Sequence, residues 1–382
     1  MNDTSYTEMN HVIYHQTSPD GQIQALVEQD DRVAYFYLAS DLKSFETKAC
    51  WVRNLIAGPI TIDQREMEQG IAPTLPRTVC QNQDGQSPLD SEHLSVVWFE
   101  EGNGAALFEK QDVLAVIPPG SGVDGFHGFA RDCKTQNSIC WPMPDLQELD
   151  ERIENAKVWW QEWTTGNPWK TRQTALLERL EAGLGTHEKY FSIDGQKWPP
   201  KGLALFQQSF WQALVTVGVS LRPQPNVELA SDSPNQFSRF ELGLLGAPVG
   251  SERLIQALGG WLSGMSNYPW HHQTWVAHGH TSSLPPDITN GTFPFVLLAE
   301  HGELLRRVSD RAGSEDPLNL LAPFERLALP PYRQCLTNLL WAIPITSSEQ
   351  QQAAAGGTDA LLDHFIENPK RLLLSPSDNA AK

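Results

Sequence analysis

The spacing of apolar residues changes near Pro142, and that change constrains the fold more than any other feature of the chain. Before it, short β-prone runs alternate with turn residues. His11 to His15, Gln22 to Gln29 and Arg32 to Leu38 are separated by Pro19-Asp20-Gly21 and Asp30-Asp31. Leu94 to Phe99, Ala105 to Glu109 and Val113 to Ile117 repeat the pattern, broken by Gly102-Asn103-Gly104 and Gln111-Asp112. Such turn chemistry between β-prone runs predicts an antiparallel meander. Pro118-Pro119-Gly120 closes the last run, because proline removes a ladder donor. Residues 1–142 are therefore expected to form one antiparallel β-rich domain.

After Pro142 the apolar spacing becomes three and four. Leu146, Leu149, Ile153, Ala156, Trp160 and Trp163 mark one face of a helix, with Asp145 and Glu148 spaced as a capping box. Trp159 lies off that face, which predicts a second covered side. A second helix starts at the candidate cap Asn167, with Pro168 in its first turn and Leu176, Leu177, Leu180 and Leu184 along it. It stops at Gly185. These helices form a predicted connector over 143–186.

From residue 187 to 374 strands and helices alternate. Strands are expected at Leu203 to Gln207, Trp211 to Ser220, Val227 to Ala230, Arg239 to Leu245, Thr274 to Ala277, Phe293 to Ala299 and Leu336 to Ile345. Helices are expected at Ser251 to Leu262, near Ala322 to Leu327, at Ser347 to Ala355 and at Thr358 to Glu367, with Thr346 and Glu349 as a capping box. The pattern is α+β, a sheet flanked by helices. Residues 375–382 read as a disordered tail.

Charge and cysteines narrow the function classes. With 28 Lys+Arg against 46 Asp+Glu the formal charge is −18, which repels nucleic-acid phosphates and anionic membrane surfaces and favours a cationic partner. That charge is expected to face outward. No apolar run approaches the roughly 20 residues that span a bilayer, and Met1 to Asn10 carries no secretory pattern. The five cysteines, Cys50, Cys80, Cys133, Cys140 and Cys335, include no C-x-x-C pair, so neither a disulfide framework nor a structural zinc site is expected. A reducing cytoplasm is the expected compartment.

Standard catalytic motifs are missing: no phosphate-binding glycine loop and no G-x-S-x-G elbow. His187-Glu188 starts like a zincin helix, but the second histidine would fall at Phe191. The densest titratable cluster runs from His271 to His280. On a strand, His272, His278 and His280 would share one face, and imidazoles suit zinc or copper. This is the basis of an alternative reading as a metal-dependent enzyme. A packed, turn-bounded strand with backbone-bonded histidines explains Pro269, Trp270, Trp275 and Gly279 better. No metal and no cofactor is assigned. A second cluster, Gly125 to Cys133, places His127 near Cys133, as thiol chemistry requires, but the glycines and phenylalanines indicate a turn with aromatic plugs. Glu100-Glu101 and Asp30-Asp31 are expected to be solvated. Most of the 13 tryptophans are expected in cores; those left exposed would anchor a protein partner.

The second half of the chain resembles the suppressor of fused family. The resemblance is carried by Leu214-Val215-Thr216-Val217-Gly218-Val219-Ser220 with Val227-Glu228-Leu229-Ala230, by Arg239-Phe240-Glu241-Leu242-Gly243-Leu244, and by Trp261-Leu262-Ser263-Gly264. Pro269-Trp270, Gly279-His280-Thr281 and Phe295-Val296-Leu297-Leu298 follow in order, then Leu340-Trp341-Ala342-Ile343-Pro344-Ile345-Thr346 with Glu349. The match spans about Tyr190 to Glu367 and its motifs are structural. The whole chain, with Tyr35-Phe36-Tyr37-Leu38 and Cys50-Trp51-Val52-Arg53-Asn54, looks like longer bacterial members. The resemblance implies a non-enzymatic protein-binding module. Eukaryotic relatives restrain a transcription factor, and bacterial ones have been proposed as toxin-neutralising immunity proteins. A basic toxin is therefore one expected partner. No binding residue is carried over from the family; the aromatic and histidine cluster itself makes Trp270, Trp275, His278 and His280 the candidate partner-binding residues. A third reading is a regulatory scaffold whose N-terminal domain binds a peptide.

Overall fold

The structure, a computed structural model, describes residues 11–122, 125–144, 146–248, 252–289, 291–310 and 327–374. The chain divides into two compact units, Met1–Gly166 and Asn167–Lys382.

The first unit is β-rich and builds two sheets. β1 (His11–Thr17), β2 (Gln24–Gln29), β3 (Val33–Ala39) and β4 (Lys48–Asn54) form an antiparallel meander. Asp30 builds one of its turns and is not solvated: its Oδ1 accepts from the backbone N–H groups of Arg32 and Val33, each at 2.7 Å. After a short α1 (Gln64–Glu68), β5 (Leu94–Trp98), β6 (Ala105–Glu109), β7 (Asp112–Ile117), β8 (Phe129–Ala130) and β9 (Trp141–Pro142) make the second sheet. Its last pair, β8 with β9, is parallel. Phe36, Trp51, Leu107, Ala115 and Ile117 share one core between the sheets. Leu149, Ile153 and Ala156 of α2 (Leu146–Thr165) pack with Phe108 and Val116 of the second sheet, as the helical spacing predicts. Trp159 is fully buried, so a second side of α2 is covered. Glu101 is also not simply solvated, since it pairs with Arg152 at 3.1 Å.

The second unit opens with α3 (Pro168–Leu184), capped by the Asn167 side chain, which accepts from the Lys170 N–H. Gly185 ends it at φ +86°, a conformation that favours glycine. The sheet of this unit has seven strands: β10 (His187–Ser192), β11 (Gly202–Gln207), β12 (Gln212–Val217), β13 (Arg239–Gly246), β14 (Thr281–Ser283), β15 (Phe295–Glu300) and β16 (Thr337–Ile345). They lie in the order β10-β11-β12-β13-β16-β15-β14. Only the central pair, β13 with β16, is parallel.

Helices line both faces of this sheet. α4 (Glu252–Met265) contributes Leu254, Leu258 and Leu262 to a core with Leu214, Phe240, Leu242 and Leu340. On the other face Leu176, Leu180 and Leu184 of α3 pack with Val215, Trp341 and Leu304. Burial on both faces explains why β12 and β13 are buried at every position. α5 (Tyr268–His272) and α6 (Pro286–Thr289) precede β15, and α7 (His301–Ser309) follows it. α8 (Ser347–Gly356) carries the predicted capping box, Thr346 with Glu349, and leads to α9 (Asp359–Glu367).

Two predicted strands are absent. Val227–Leu229 forms a single 3-10 turn, because Asn226 at φ +62° enters the left-handed region and bends the chain. Thr274 to Ala277 is a loop, since Gln273 at φ +49° ends α5 and redirects the backbone. Asp145, the helix expected near Ala322 to Leu327 (all but Leu327) and the tail 375–382 lie outside the described residues.

Candidate functional site

A buried polar frame connects the centre of the sheet of the second unit to the histidine-rich loop. It starts at Glu241 on β13, which is 0% exposed. Its carboxylate accepts from the Thr216 hydroxyl at 2.8 Å, from the N–H groups of Gly218 (2.9 Å), Val219 (3.3 Å) and Ser220 (3.1 Å), and from the Ser220 hydroxyl at 2.6 Å. Burial raises the carboxyl above its ordinary value while these donors oppose the rise. Together they hold the backbone turn after β12 against the sheet. Arg239, also buried, donates to the carbonyls of Ser220 (3.1 Å) and Leu221 (2.7 Å) and fixes the same turn from its other side.

Beyond the turn lie Arg222, Pro223 and Gln224. The Trp270 indole donates to the Pro223 carbonyl at 3.1 Å, and its ring stacks on Phe240 with centroids 6.3 Å apart. The Arg222 guanidinium lies 5.5 Å from the Trp270 ring centre and 5.6 Å from that of Trp198. The Lys201 ammonium is 5.9 Å from the Trp270 ring and hydrogen-bonds to the Asn267 side chain. Lys201 is 4% exposed, and burial, reinforced by Arg222, lowers its ammonium to about 8. Cations over an indole face gain from the ring quadrupole, more so when shielded from water.

The loop itself is held by side-chain amides. Gln224 accepts from the Val276 N–H and donates to the Val276 carbonyl, both at 2.9 Å. Asn226 donates to the Gln273 carbonyl at 2.7 Å. On the far side the loop pairs with β15: Gly279 N–H donates to Leu298 O, and Leu298 N–H to His280 O, each at 2.8 Å. The Glu300 N–H donates to His278 Nδ1 at 3.2 Å, which places a lone pair on that nitrogen.

The predicted site residues fall into different roles. Trp270 is 5% exposed and belongs to the supporting frame. Trp275 and His280 are brought together, ring centres 4.6 Å apart, and both are half-buried. Burial lowers the His280 imidazole below its ordinary value, favouring the neutral ring. His272 is exposed on α5 and packs on Tyr268 at 4.4 Å. The shared strand face expected for His272, His278 and His280 does not exist, because this segment is part helix and part loop. Among the described residues no group of three or more His, Cys, Asp or Glu is placed to hold a metal ion.

In the first unit, Phe126 packs on Phe129 (4.9 Å) and Trp141 (4.7 Å), the predicted aromatic plug. Cys133 finds its neighbours in Cys140, Thr135 and Asn137.

Sequence reasoning missed Lys201, Arg222, Gln224, Asn226 and Glu241. The available signal was a carboxylate inside an apolar run, Arg239-Phe240-Glu241-Leu242, where only a satisfied buried charge fits. The expectation that charge faces outward fails for these groups.

The second unit is thus an α+β domain whose sheet carries a buried polar frame and a fixed surface loop. Residues 197–377 match the family model described as suppressor of fused protein (SUFU), and in this part the chain is SUFU-like. A solved structure described as the Sufu-Fu complex is similar at 11% identity and a TM-score of 0.37, over 53% of this chain and 89% of that one. No curated protein matches the chain. No helix among the described residues is long and apolar enough to cross a membrane.

Proposed function

We propose that the chain is a non-enzymatic protein-binding module that uses the 273–280 loop as its recognition surface. The observation that carries this reading is the tilted Trp275–His280 ring pair, half-buried on a loop fixed by Gln224, Asn226 and β15. A rigid aromatic loses little entropy on docking, which is what an interface anchor needs. Trp275 and His280 form the contact, His278 flanks them, and Trp270 supports them from beneath.

The partner in this reading is a basic protein, in an immunity-type role the neutralisation of a toxin inside a reducing cytoplasm. The formal charge of −18 supports it by steering a cationic partner, and binding then weakens with salt. No cofactor is needed for such a role. The test is affinity capture from the native host with the wild-type chain and with Trp275→Ala/His280→Ala. A protein retained by the wild type, lost from the double variant and able to arrest growth unless the chain is co-expressed is the expected result. Retention by the double variant would move the surface elsewhere, and a captured partner that is harmless when expressed alone would remove the immunity role.

A further inference from the structure

Four of the five cysteines, Cys50, Cys80, Cys133 and Cys140, are buried in the first unit, and all are free thiols. Two of them share one polar contact. The Asn137 side-chain amide lies 3.4 Å from the Cys133 sulfur and 3.8 Å from the Cys140 sulfur. The Cys133 thiol also donates to the Cys140 carbonyl at 3.9 Å. The segment between them is a tight turn: Asn137 Oδ1 accepts from the N–H groups of Ile139 (2.9 Å) and Cys140 (3.2 Å), and the Asn137 N–H donates to the Cys140 carbonyl at 3.2 Å. This turn returns the chain so that both sulfurs reach the same Asn137 amide.

Cys133 has another neighbour in Cys80, which faces it across an isolated antiparallel bridge. The Cys80 sulfur, however, is taken up elsewhere, 3.5 Å from the Asn54 amide and 3.5 Å from the Leu75 carbonyl. The Cys133 sulfur is directed at Asn137, Thr135 and Cys140. Lys134, Thr135, Gln136 and Ser138, in the segment between the two cysteines, are exposed. The thiol pair is thus buried beneath a short surface turn.

We propose that Cys133 and Cys140 form a reversible redox dithiol, oxidised to a disulfide by a low-molecular-weight disulfide such as oxidised glutathione. Cys133 is the attacking group. Its neighbour Cys140, joined by the Asn137 amide, holds Cys133 below the ordinary thiol range against the opposing effect of burial, while Cys133 and burial push Cys140 above it. The Cys133 thiolate attacks one glutathione sulfur, forms a mixed disulfide and expels a glutathione thiolate, which takes up a proton. Cys140 then gives up its proton and attacks the Cys133 sulfur, expelling the second glutathione thiolate, which takes that proton. Two protein thiols become one disulfide, and one glutathione disulfide becomes two thiols. Excess reduced glutathione runs the sequence backwards.

The sequence supplies a clean assay. Trypsin cuts after Arg131 and Lys134, so Cys133 and Cys140 leave on different peptides unless a disulfide joins them. The full chain is treated with oxidised glutathione, alkylated, and digested without reductant. The expected product is the Asp132–Lys134 peptide joined to the peptide bearing Cys140, lighter by two hydrogens than the separate pair. The link is expected to survive Cys80→Ala and to be lost in Cys140→Ser, where Cys133 accumulates as the glutathione adduct. A Cys133–Cys80 link, a persistent Cys133 adduct in the wild type, or full alkylation of both thiols after oxidation would each overturn the proposal.

Discussion

Gln224 and Val276 meet as two strands would, although neither lies in a strand: one side-chain amide supplies both the acceptor and the donor that the Val276 peptide unit requires. A buried peptide unit satisfied by a single side chain depends on that side chain alone.

Gln224→Ala is therefore expected to leave the Val276 N–H and carbonyl unmatched, at a cost on the order of 1–3 kcal/mol. The measurement is urea unfolding paired with amide exchange. The Val276 amide should exchange faster in the variant, while amides of β12 keep their order. An unchanged Val276 rate would show that the loop holds without Gln224.

Glu241→Gln keeps the shape of the side chain but turns an NH2 group toward the N–H donors that the carboxylate accepts from. Leaving buried donors without an acceptor costs about 1–3 kcal/mol. A drop of that size in the free energy of unfolding, with the folded far-ultraviolet spectrum retained, is the expected outcome. A neutral result would mean that the Gly218–Ser220 turn does not need the charge.

Lys201 gives a pH-dependent signature. Its folded value of about 8 lies below its unfolded value of 10.5, so between these the unfolded chain binds the extra proton. Stability from this group therefore rises as pH climbs from 8 to 10.5 and is flat outside that window. At 1.36 kcal/mol per unit the full swing is about 3 kcal/mol. Lys201→Met should flatten that part of the wild-type stability curve. Two parallel curves would show that the ammonium is not desolvated in the fold.

Gly243 lies beneath the Trp341 ring: a Cβ there would come within 2.6 Å of it. Gly243→Ala forces the ring or the strand to shift, with an expected loss of about 1–3 kcal/mol. Near-ultraviolet circular dichroism should report the displaced indole. An unaltered spectrum and midpoint would mean that the space is larger than the structure indicates.

Local chemistry made much of this fold readable. Asn167 and Pro168 marked a helix start, Thr346 and Glu349 a second one, and the apolar runs of β6, β13 and β16 sit close to where the residues predicted them. The failures share a cause. Asn226 and Gln273 take left-handed backbone angles that a β-prone neighbourhood does not announce, and each converts a predicted strand into a turn or loop. Long-range polar pairing was equally hidden: Lys201 approaches Trp270, and Gln224 reaches Val276, across separations that no periodicity encodes. Of the candidate site, the aromatic and histidine residues were visible, but not the division between buried support and half-exposed contact.

The parallel pairing of β13 with β16, Leu242 opposite Leu340, has a consequence for how the molecule is made. While the ribosome works through the segment between those strands, the growing sheet stops at β13, whose every residue is destined for the interior. Its open side cannot close until β16 has emerged. Such non-local closure is slow and leaves a sticky strand exposed in the meantime. A nascent chain interrupted before Thr337 should accordingly be insoluble or degraded, whereas the first unit, translated earlier and built from neighbouring strands, can already be complete.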